Sequence, residues 1–176
     1  RPTDRSGGLA SGSPIRRSRS GVPVSTVPSS RAKILDIGEA LFARRGYAGV
    51  GMREVAERSG LGKSSLFHHF RSKGQLFAEV RVRTLERLRD AVAPFLRGNS
   101  PPLQALEDAM CALIDSFAEH HTSARLLLRG LVEEEVFSGE APPELAEAES
   151  LLAELLDDLS RLIERGVEAG ALRSVS

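Results

Sequence analysis

Residues 31–76 read RAKILDIGEALFARRGYAGVGMREVAERSGLGKSSLFHHFRSKGQL. Three helical patterns follow one another, with a glycine-centred turn at Ser59, Gly60 and Leu61 before the third. In the first, Ile34, Ile37, Leu41 and Phe42 recur at helical spacing and make one apolar stripe. Ser30 is a fair N-cap, and Gly46 behind Arg44 and Arg45 is the usual chemistry of a helix C-terminus, so the spacing predicts a helix over 30–45. Tyr47 is placed to fold back on the core. A second helix is predicted over 52–58, capped by Gly51 and burying Met52, Val55 and Ala56. The third runs over 63–69, with Leu66 and Phe70 facing inward as i,i+4 partners and Lys63, Ser64, Phe67 and His68 facing away. A helix that short does not stabilise itself in water, so the two before it must hold it. A short polar helix propped on others is the layout that pushes side chains into the DNA major groove.

Beyond this stretch the pattern stays helical. A long helix is expected from 73 to 96, with Leu76, Phe77, Val80, Leu85, Leu88 and Val92 on one face and Pro94 and Gly98 near its end. After the break at 99–102, Leu103, Leu106, Met110, Leu113, Ile114 and Phe117 mark a helix to about 120. Thr122 can cap the next, which carries Leu126, Leu127, Leu131 and Val132. Gly139 to Pro143 breaks the chain again, and Leu151, Leu152, Leu155, Leu159, Leu162 and Ile163 predict a last helix over about 144–169. No alternating β-rich segment competes, so the fold is expected to be all-α. Residues 1–30 are rich in Ser, Gly, Pro and Arg and poor in aliphatics, a composition that predicts disorder. Arg16, Arg17 and Arg19 there suit an arm along a DNA backbone or minor groove, or else an uninvolved tail.

Charge is partitioned along the chain. Residues 1–30 hold five Arg and one Asp, residues 31–83 hold eleven Lys and Arg against five Asp and Glu, and residues 84–176 hold eight Arg against eighteen Asp and Glu. A net +10 on the first 83 residues therefore balances −10 on the rest, and a polyanion should meet one end only. Cys111 is the one cysteine, which excludes an internal disulfide and fits a reducing compartment; its place in an apolar helix predicts a buried thiol. No apolar run approaches the roughly 20 residues of a membrane helix, and no apolar core near the N-terminus suggests a secretory signal. A cytoplasmic protein is expected.

Enzyme chemistry finds little support. The four histidines come as two adjacent pairs, His68–His69 and His120–His121. Neighbours on a helix point about 100° apart and do not easily share a metal. No nucleophile–base set is visible. The run Glu133, Glu134, Glu135 reads as an exposed face, with a cationic ligand as the sharper alternative. No catalytic residue, metal or cofactor is expected.

The helix-turn-helix residues also carry a resemblance. Leu41-Phe42-Ala43-Arg44-Arg45-Gly46-Tyr47, then Val55-Ala56-Glu57-Arg58-Ser59-Gly60-Leu61, then Gly62-Lys63-Ser64-Ser65-Leu66-Phe67-His68-His69-Phe70, with Arg71-Ser72-Lys73-Gly74-Gln75-Leu76 behind, resemble the N-terminal DNA-binding domain of the TetR family of transcriptional repressors. The resemblance implies that Lys63, Ser64, Ser65, Phe67 and His68 face DNA and that Lys73 takes a phosphate. His69 either joins that face or packs at the junction with the first or fourth helix. Arg53, near the start of the second helix, and Arg44 or Arg45 suit further backbone contacts, the arginine pair being alternatively only a charge-favourable helix end. Three departures stand out. Gly51 and Gly62 replace a Ser or Thr that caps a helix and touches phosphate, and Phe67 replaces a Tyr, losing a hydroxyl.

For the second half the resemblance implies an effector pocket and a dimer interface. Met110, Leu113, Phe117, Leu127, Leu131, Leu155 and Leu159 are the candidate lining, although such stripes are core residues first. The segment Gly170-Ala171-Leu172-Arg173 is similar to one that two further, subunit-pairing helices follow in many members. The expected organisation is thus a tail (1–30), a DNA-binding domain (31–76) and a helical effector-binding and dimerisation domain (77–176) that is incomplete and exposes apolar surface on its last helix. The implied protein is a regulator of transcription. It binds double-stranded DNA as a homodimer on a near-palindromic operator, and an unknown small-molecule effector releases it. Control by a protein partner, or activation in place of repression, are the alternatives.

Overall fold

The computed structural model describes residues 29–132 and 143–173, apart from the side chains of residues 130–132 and 144. Expectations for the tail, for Glu133 to Glu135 and for most of the last break lie outside the described residues. Within them there are seven helices and no strand: α1 (Ser30–Arg45), α2 (Met52–Ser59), α3 (Lys63–His69), α4 (Lys73–Leu96), α5 (Pro102–Glu119), α6 (His121–Val132) and α7 (Pro143–Glu168). None of them is long and apolar enough to cross a membrane.

Local chemistry sets the ends. Ser29, not Ser30, caps α1: its hydroxyl accepts from the Ala32 amide at 3.2 Å, and Ser30 is already helical. Two serines stand side by side there, and the one with extended backbone takes the capping role. Gly46 closes α1 at φ 69°, with its amide on the Phe42 carbonyl at 2.8 Å. Ser72 caps α4 by accepting from the Gln75 amide at 3.0 Å. Pro102 opens α5, where a missing amide hydrogen costs nothing. Thr122 does not cap α6, because that helix begins at His121, directly behind the end of α5.

One core lies under the helix-turn-helix. Ile34, Phe42, Val55, Leu66, Phe70 and Phe77 are fully buried in it, and Leu126 of α6 and Leu145 of α7 join from the second half. Phe42 meets Phe77 edge-on at 5.0 Å, and Tyr47 packs against Phe77 at 5.1 Å, folding back as its position predicted. A second core, with Val92, Leu96, Ala105, Ala109, Leu155 and Leu162, joins α4, α5 and α7. A smaller one joins Leu85 to Ala148 and Leu151, with Leu127 against it. Helix α4 runs through all three.

Cys111 is exposed, which corrects the buried thiol. Helix α5 turns one face to α4 and α7, and its apolar stripe is wider than the surface it covers: Met110 is 53% and Ile114 58% exposed. On α7, Leu156 and Ile163 are exposed as well.

A buried carboxylate holds the two halves together. Glu39 of α1 accepts from Ser123 Oγ of α6 at 2.7 Å and from Arg83 and Arg87 of α4 at 2.8 and 2.9 Å. Arg83 also reaches Asp36 at 2.8 Å. Burial alone raises the pKa of Glu39, but the Ser123 hydroxyl and the two guanidinium groups outweigh it and hold the carboxyl below its ordinary value. A depressed folded pKa means stability that is present above the unfolded glutamate pKa and lost as the pH falls through the folded value. Glu39→Ala is therefore expected to cost the intact chain about 3 kcal/mol in urea unfolding at neutral pH, because it leaves half-buried Arg87 without a carboxylate and Arg83 with Asp36 alone. That difference should shrink on the acid side of the ordinary glutamate range. A cost under about 1 kcal/mol, or one independent of pH, contradicts this role for the cluster.

Candidate nucleic-acid interface

The turn between α2 and α3 is rigid for local reasons. Gly60 ends α2 at φ 70°, and the Leu61 amide returns to the Ala56 carbonyl at 3.0 Å, closing the helix end. Ser59 is buried and donates to the Val55 carbonyl at 2.6 Å. Leu66 and Phe70 plug the core below, with no exposed surface. At helical spacing this leaves Lys63, Ser64, Ser65, Phe67 and His68 exposed, and the structure brings those five onto one outward face. Ser64, Ser65 and His68 line a shallow depression with Ser30, Leu61 and His69. The Lys63 ammonium stands 5.9 Å from the centre of the Phe67 ring.

The other sequence candidates flank this face. His69 is half-buried at the end of α3, its ring 5.8 Å from that of His68 and inclined at 66°. Lys73 sits at the start of α4, its ammonium 4.3 Å over the Tyr47 ring and 3.4 Å from the Ala48 carbonyl. Arg53 pairs with Glu57 at 2.8 Å one turn along α2, with its side chain almost wholly in solvent. Such a pair is weak, so a phosphate can replace the carboxylate. Arg45 is tied to Glu54 of α2, and Arg44 is exposed while its carbonyl accepts from Arg129 of α6 at 3.4 Å.

Sequence reasoning missed Arg31. Its guanidinium donates to the His69 carbonyl at 3.0 Å, stacks 4.4 Å over the Phe70 ring and pairs with Glu79 of α4. Gln75 donates to the same Glu79 at 3.2 Å and accepts from the Arg71 amide at 2.8 Å. One arginine thus clamps the end of α3 between α1 and α4. A charged residue in the first turn of a helix carries no sequence signal for a partner thirty-eight positions away.

Dimensions suit a duplex. With side chains an α-helix is about 10–12 Å across, and the B-DNA major groove is about 12 Å wide. Seven residues rise about 10 Å, the length of roughly three base pairs. Lys can donate to guanine O6 and N7, serines let a helix sit deep, and a phenyl ring can press on a thymine methyl.

Away from this face, α4, α5 and α7 enclose an apolar groove of 280 Å³. Met110, Leu113, Leu155 and Leu159 line it, together with Leu88 and Val92. Two sequence candidates lie elsewhere. Leu127 packs in the cluster of Leu85, Ala148 and Leu151, because α6 lies along α1 and α4 and not across the groove. Phe117 is half-buried near the far end of α5, outside the lining. The side chain of Leu131 lies outside the described residues.

Residues 34–80 match the family model described as bacterial regulatory proteins, tetR family. The HTH-type transcriptional repressor KstR2 of Rhodococcus jostii is 30% identical over 148 residues, covering 82% of this chain and 68% of that protein. The HTH-type transcriptional activator FasR of Mycolicibacterium smegmatis is 35% identical over 98 residues, 56% of this chain and 44% of FasR. The chain thus spans about half the length of some curated relatives it matches and two thirds of another. Among solved structures, the TetR family regulator PfmR from Thermus thermophilus superposes with a TM-score of 0.65 at 27% identity, covering 81% of this chain and 75% of PfmR.

The two glycine caps permit a direct check. A Cβ on Gly51 meets nothing within 4 Å, and the backbone there, φ −108° and ψ 138°, is one that serine adopts freely. Gly51→Ser is expected to supply the missing cap and restrict the unfolded chain, stabilising the protein by about 0.5–1 kcal/mol and raising Tm by a few degrees. A lower Tm in thermal unfolding contradicts the capping geometry.

Proposed function

The chain belongs to the tetR family of bacterial regulatory proteins, and from that membership we propose that it is a ligand-responsive regulator of transcription that reads duplex DNA with α3. The observation that carries the reading is the outward α3 face, polar and basic, on a helix whose other side is buried. In this reading Lys63 reaches a base edge or a nearby phosphate, Ser64 and Ser65 let the helix seat deeply, and Phe67 presses on a thymine methyl or sugar. His68 adds a contact beside them and His69 borders it. Arg53 and Lys73 hold the flanking phosphates, Lys73 with the amides at the start of α4. The acidic second half is repelled by the same phosphates and keeps the docking one-ended.

Repression by a homodimer on a near-palindromic operator is the form we favour. KstR2 of Rhodococcus jostii is named a repressor, and a twofold pair of reading heads about 34 Å apart matches two half-sites one DNA turn from each other. The apolar groove between α4, α5 and α7 takes the effector. Its lining is aliphatic, so it suits a hydrophobic ligand or the hydrophobic part of one. Such a ligand acts only by binding one arrangement of α4 better than another. Helix α4 carries both the groove residues Leu88 and Val92 and, at its start, Lys73 of the DNA face. Release follows when the ligand-favoured arrangement spaces the two α3 helices wrongly. A second reading, control by a protein partner, draws on the open side of the same groove, where Met110 and Leu156 are more than half exposed.

The test is DNA binding by the intact protein to the region upstream of its own coding sequence, against mixed-sequence duplex of equal length. Lys63→Ala is expected to lower affinity for the specific fragment about tenfold or more and to reduce its preference over mixed sequence. Equal affinity of wild type and variant for the specific fragment contradicts the assignment of α3.

A further inference from the structure

Helices α5 and α7 each bury one edge against α4 and leave another in water. On α5, Leu103, Met110 and Ile114 recur at i, i+7 and i+11, and on α7 Leu156 and Ile163 recur at i and i+7. All five are between 42% and 58% exposed. At about 100° per residue each set makes one stripe. Met110 and Leu156 also line the apolar groove between α4, α5 and α7, so the two stripes form its lips. Leu103 to Ile114 spans about 16 Å, or roughly three helical turns. A monomeric protein rarely leaves a contiguous apolar surface of that kind uncovered.

Charge decides what covers it. Helix α5 carries Glu107, Asp108, Asp115 and Glu119 and no basic residue. Helix α7 carries eight acidic residues and two arginines, so this pair of helices holds a net −10, all of the net charge of residues 84–176. Both arginines are engaged within the fold. Arg161 pairs with Asp157 and lies 3.7 Å from Asp158, and Arg165 donates to the Gly98 and Leu96 carbonyls at 3.0 and 3.1 Å. Beside the stripes, Glu107 stands between Leu103 and Met110, and Glu149, Asp157 and Glu164 follow the outer edge of α7, all of them exposed.

We propose that the lips of this groove take a basic amphipathic helix of a partner protein. The inference deepens the second reading above, control by a protein partner, and rests on it. Such a helix lays apolar anchors at i, i+3 or i+4 and i+7 into the groove. Its Lys and Arg stems lie along the apolar lips, and their charged heads reach Glu107 on one side and Glu149 and Glu164 on the other. A second copy of this chain is the poorer occupant, because a twofold pair through this face sets −10 against −10. An anionic lipid surface is repelled for the same reason.

The experiment measures, by fluorescence anisotropy, binding of the intact protein to a labelled Leu/Lys peptide of about 14 residues with helical apolar spacing. A Leu/Glu peptide with the same leucine positions is the comparison. The variants are I114S/L156S, which removes apolar lip, and E107K/E149K/E164K, which reverses its charge. D115K/E119K/E154K makes the same change of net charge on the far sides of the same two helices. Saturable binding of the Leu/Lys peptide alone is expected. I114S/L156S should weaken it about tenfold or more. E107K/E149K/E164K should weaken it about tenfold and admit the Leu/Glu peptide, while the far-side variant stays within about threefold of the intact protein. Equal binding of the two peptides, or equal loss in both lysine variants, overturns the inference. A dimer in sedimentation that I114S/L156S dissociates overturns it in favour of a second copy. Binding to phosphatidylglycerol vesicles that the same variant loses overturns it in favour of a lipid surface. No peptide binding by protein that still retards duplex DNA overturns this inference alone. Peptide binding as expected by protein that retards no duplex overturns the DNA-binding reading and upholds the docking surface.

Discussion

Seven residues do not make a helix that survives in water, and α3 exists because Leu66 and Phe70 are buried without remainder. Burying each is worth about 1.5–3 kcal/mol, enough to offset the cost of nucleating one short helix only if the core below is already formed. That core is supplied by Ile34 and Phe42 of α1, Val55 of α2 and Phe77 of α4. Once those two side chains are fixed, helical geometry decides the rest: Lys63, Ser64, Phe67 and His68 have nowhere to point but outward. Arg31 completes the seating by holding the His69 carbonyl and the Phe70 ring, so the reading face is set from both ends.

Similar long-range contacts link the reading head to the rest of the molecule. Helix α6 lies along α1 and is fastened to it at two places, by Ser123 on Glu39 and by Arg129 on the Arg44 carbonyl. Gly46 belongs to that second place, since a Cβ there would stand 3.0 Å from the Arg129 guanidinium in addition to meeting an unfavourable φ. Helix α4 shares Arg83 and Arg87 with the Glu39 cluster and Leu88 and Val92 with the apolar groove. A change in the groove thus has a short covalent path, about one helical turn, to the charged junction beneath α1. This is a physical route for coupling of the kind a ligand-responsive regulator needs, and its strength depends on α4 having two discrete positions.

How much of this was legible in the residues depends on what kind of fact is asked for. The bounds of α1, α3 and α4 were readable because apolar periodicity, Gly46 and the break before Lys73 agree on them. The inward pair Leu66 and Phe70 followed from i,i+4 spacing alone. Periodicity says which side of a helix is apolar but not what covers it: Cys111 lies in an apolar helix yet is exposed, Phe117 lies on the same helix as Met110 and Leu113 yet outside the groove, and Leu127 of α6 packs in another cluster. Ion clusters were invisible for a different reason. Glu39 looks like any helical glutamate, and only the long-range arrival of Arg83, Arg87 and Ser123 makes it a buried junction. The cap of α1 slipped by one residue because two serines in succession offer the same chemistry.

The central claim is that α3 is the surface that meets the duplex, and the four histidines are natural reporters of it. Two stand at the end of α3, and two stand at the α5–α6 junction on the acidic half. Ring signals of histidine-labelled protein, followed by NMR during titration with duplex DNA, separate the two surfaces in one measurement. The account predicts that His68 shifts strongly and His69 less, while His120 and His121 stay where they were. Movement of His120 and His121 with His68 unchanged, at DNA concentrations where binding is established independently, would contradict it.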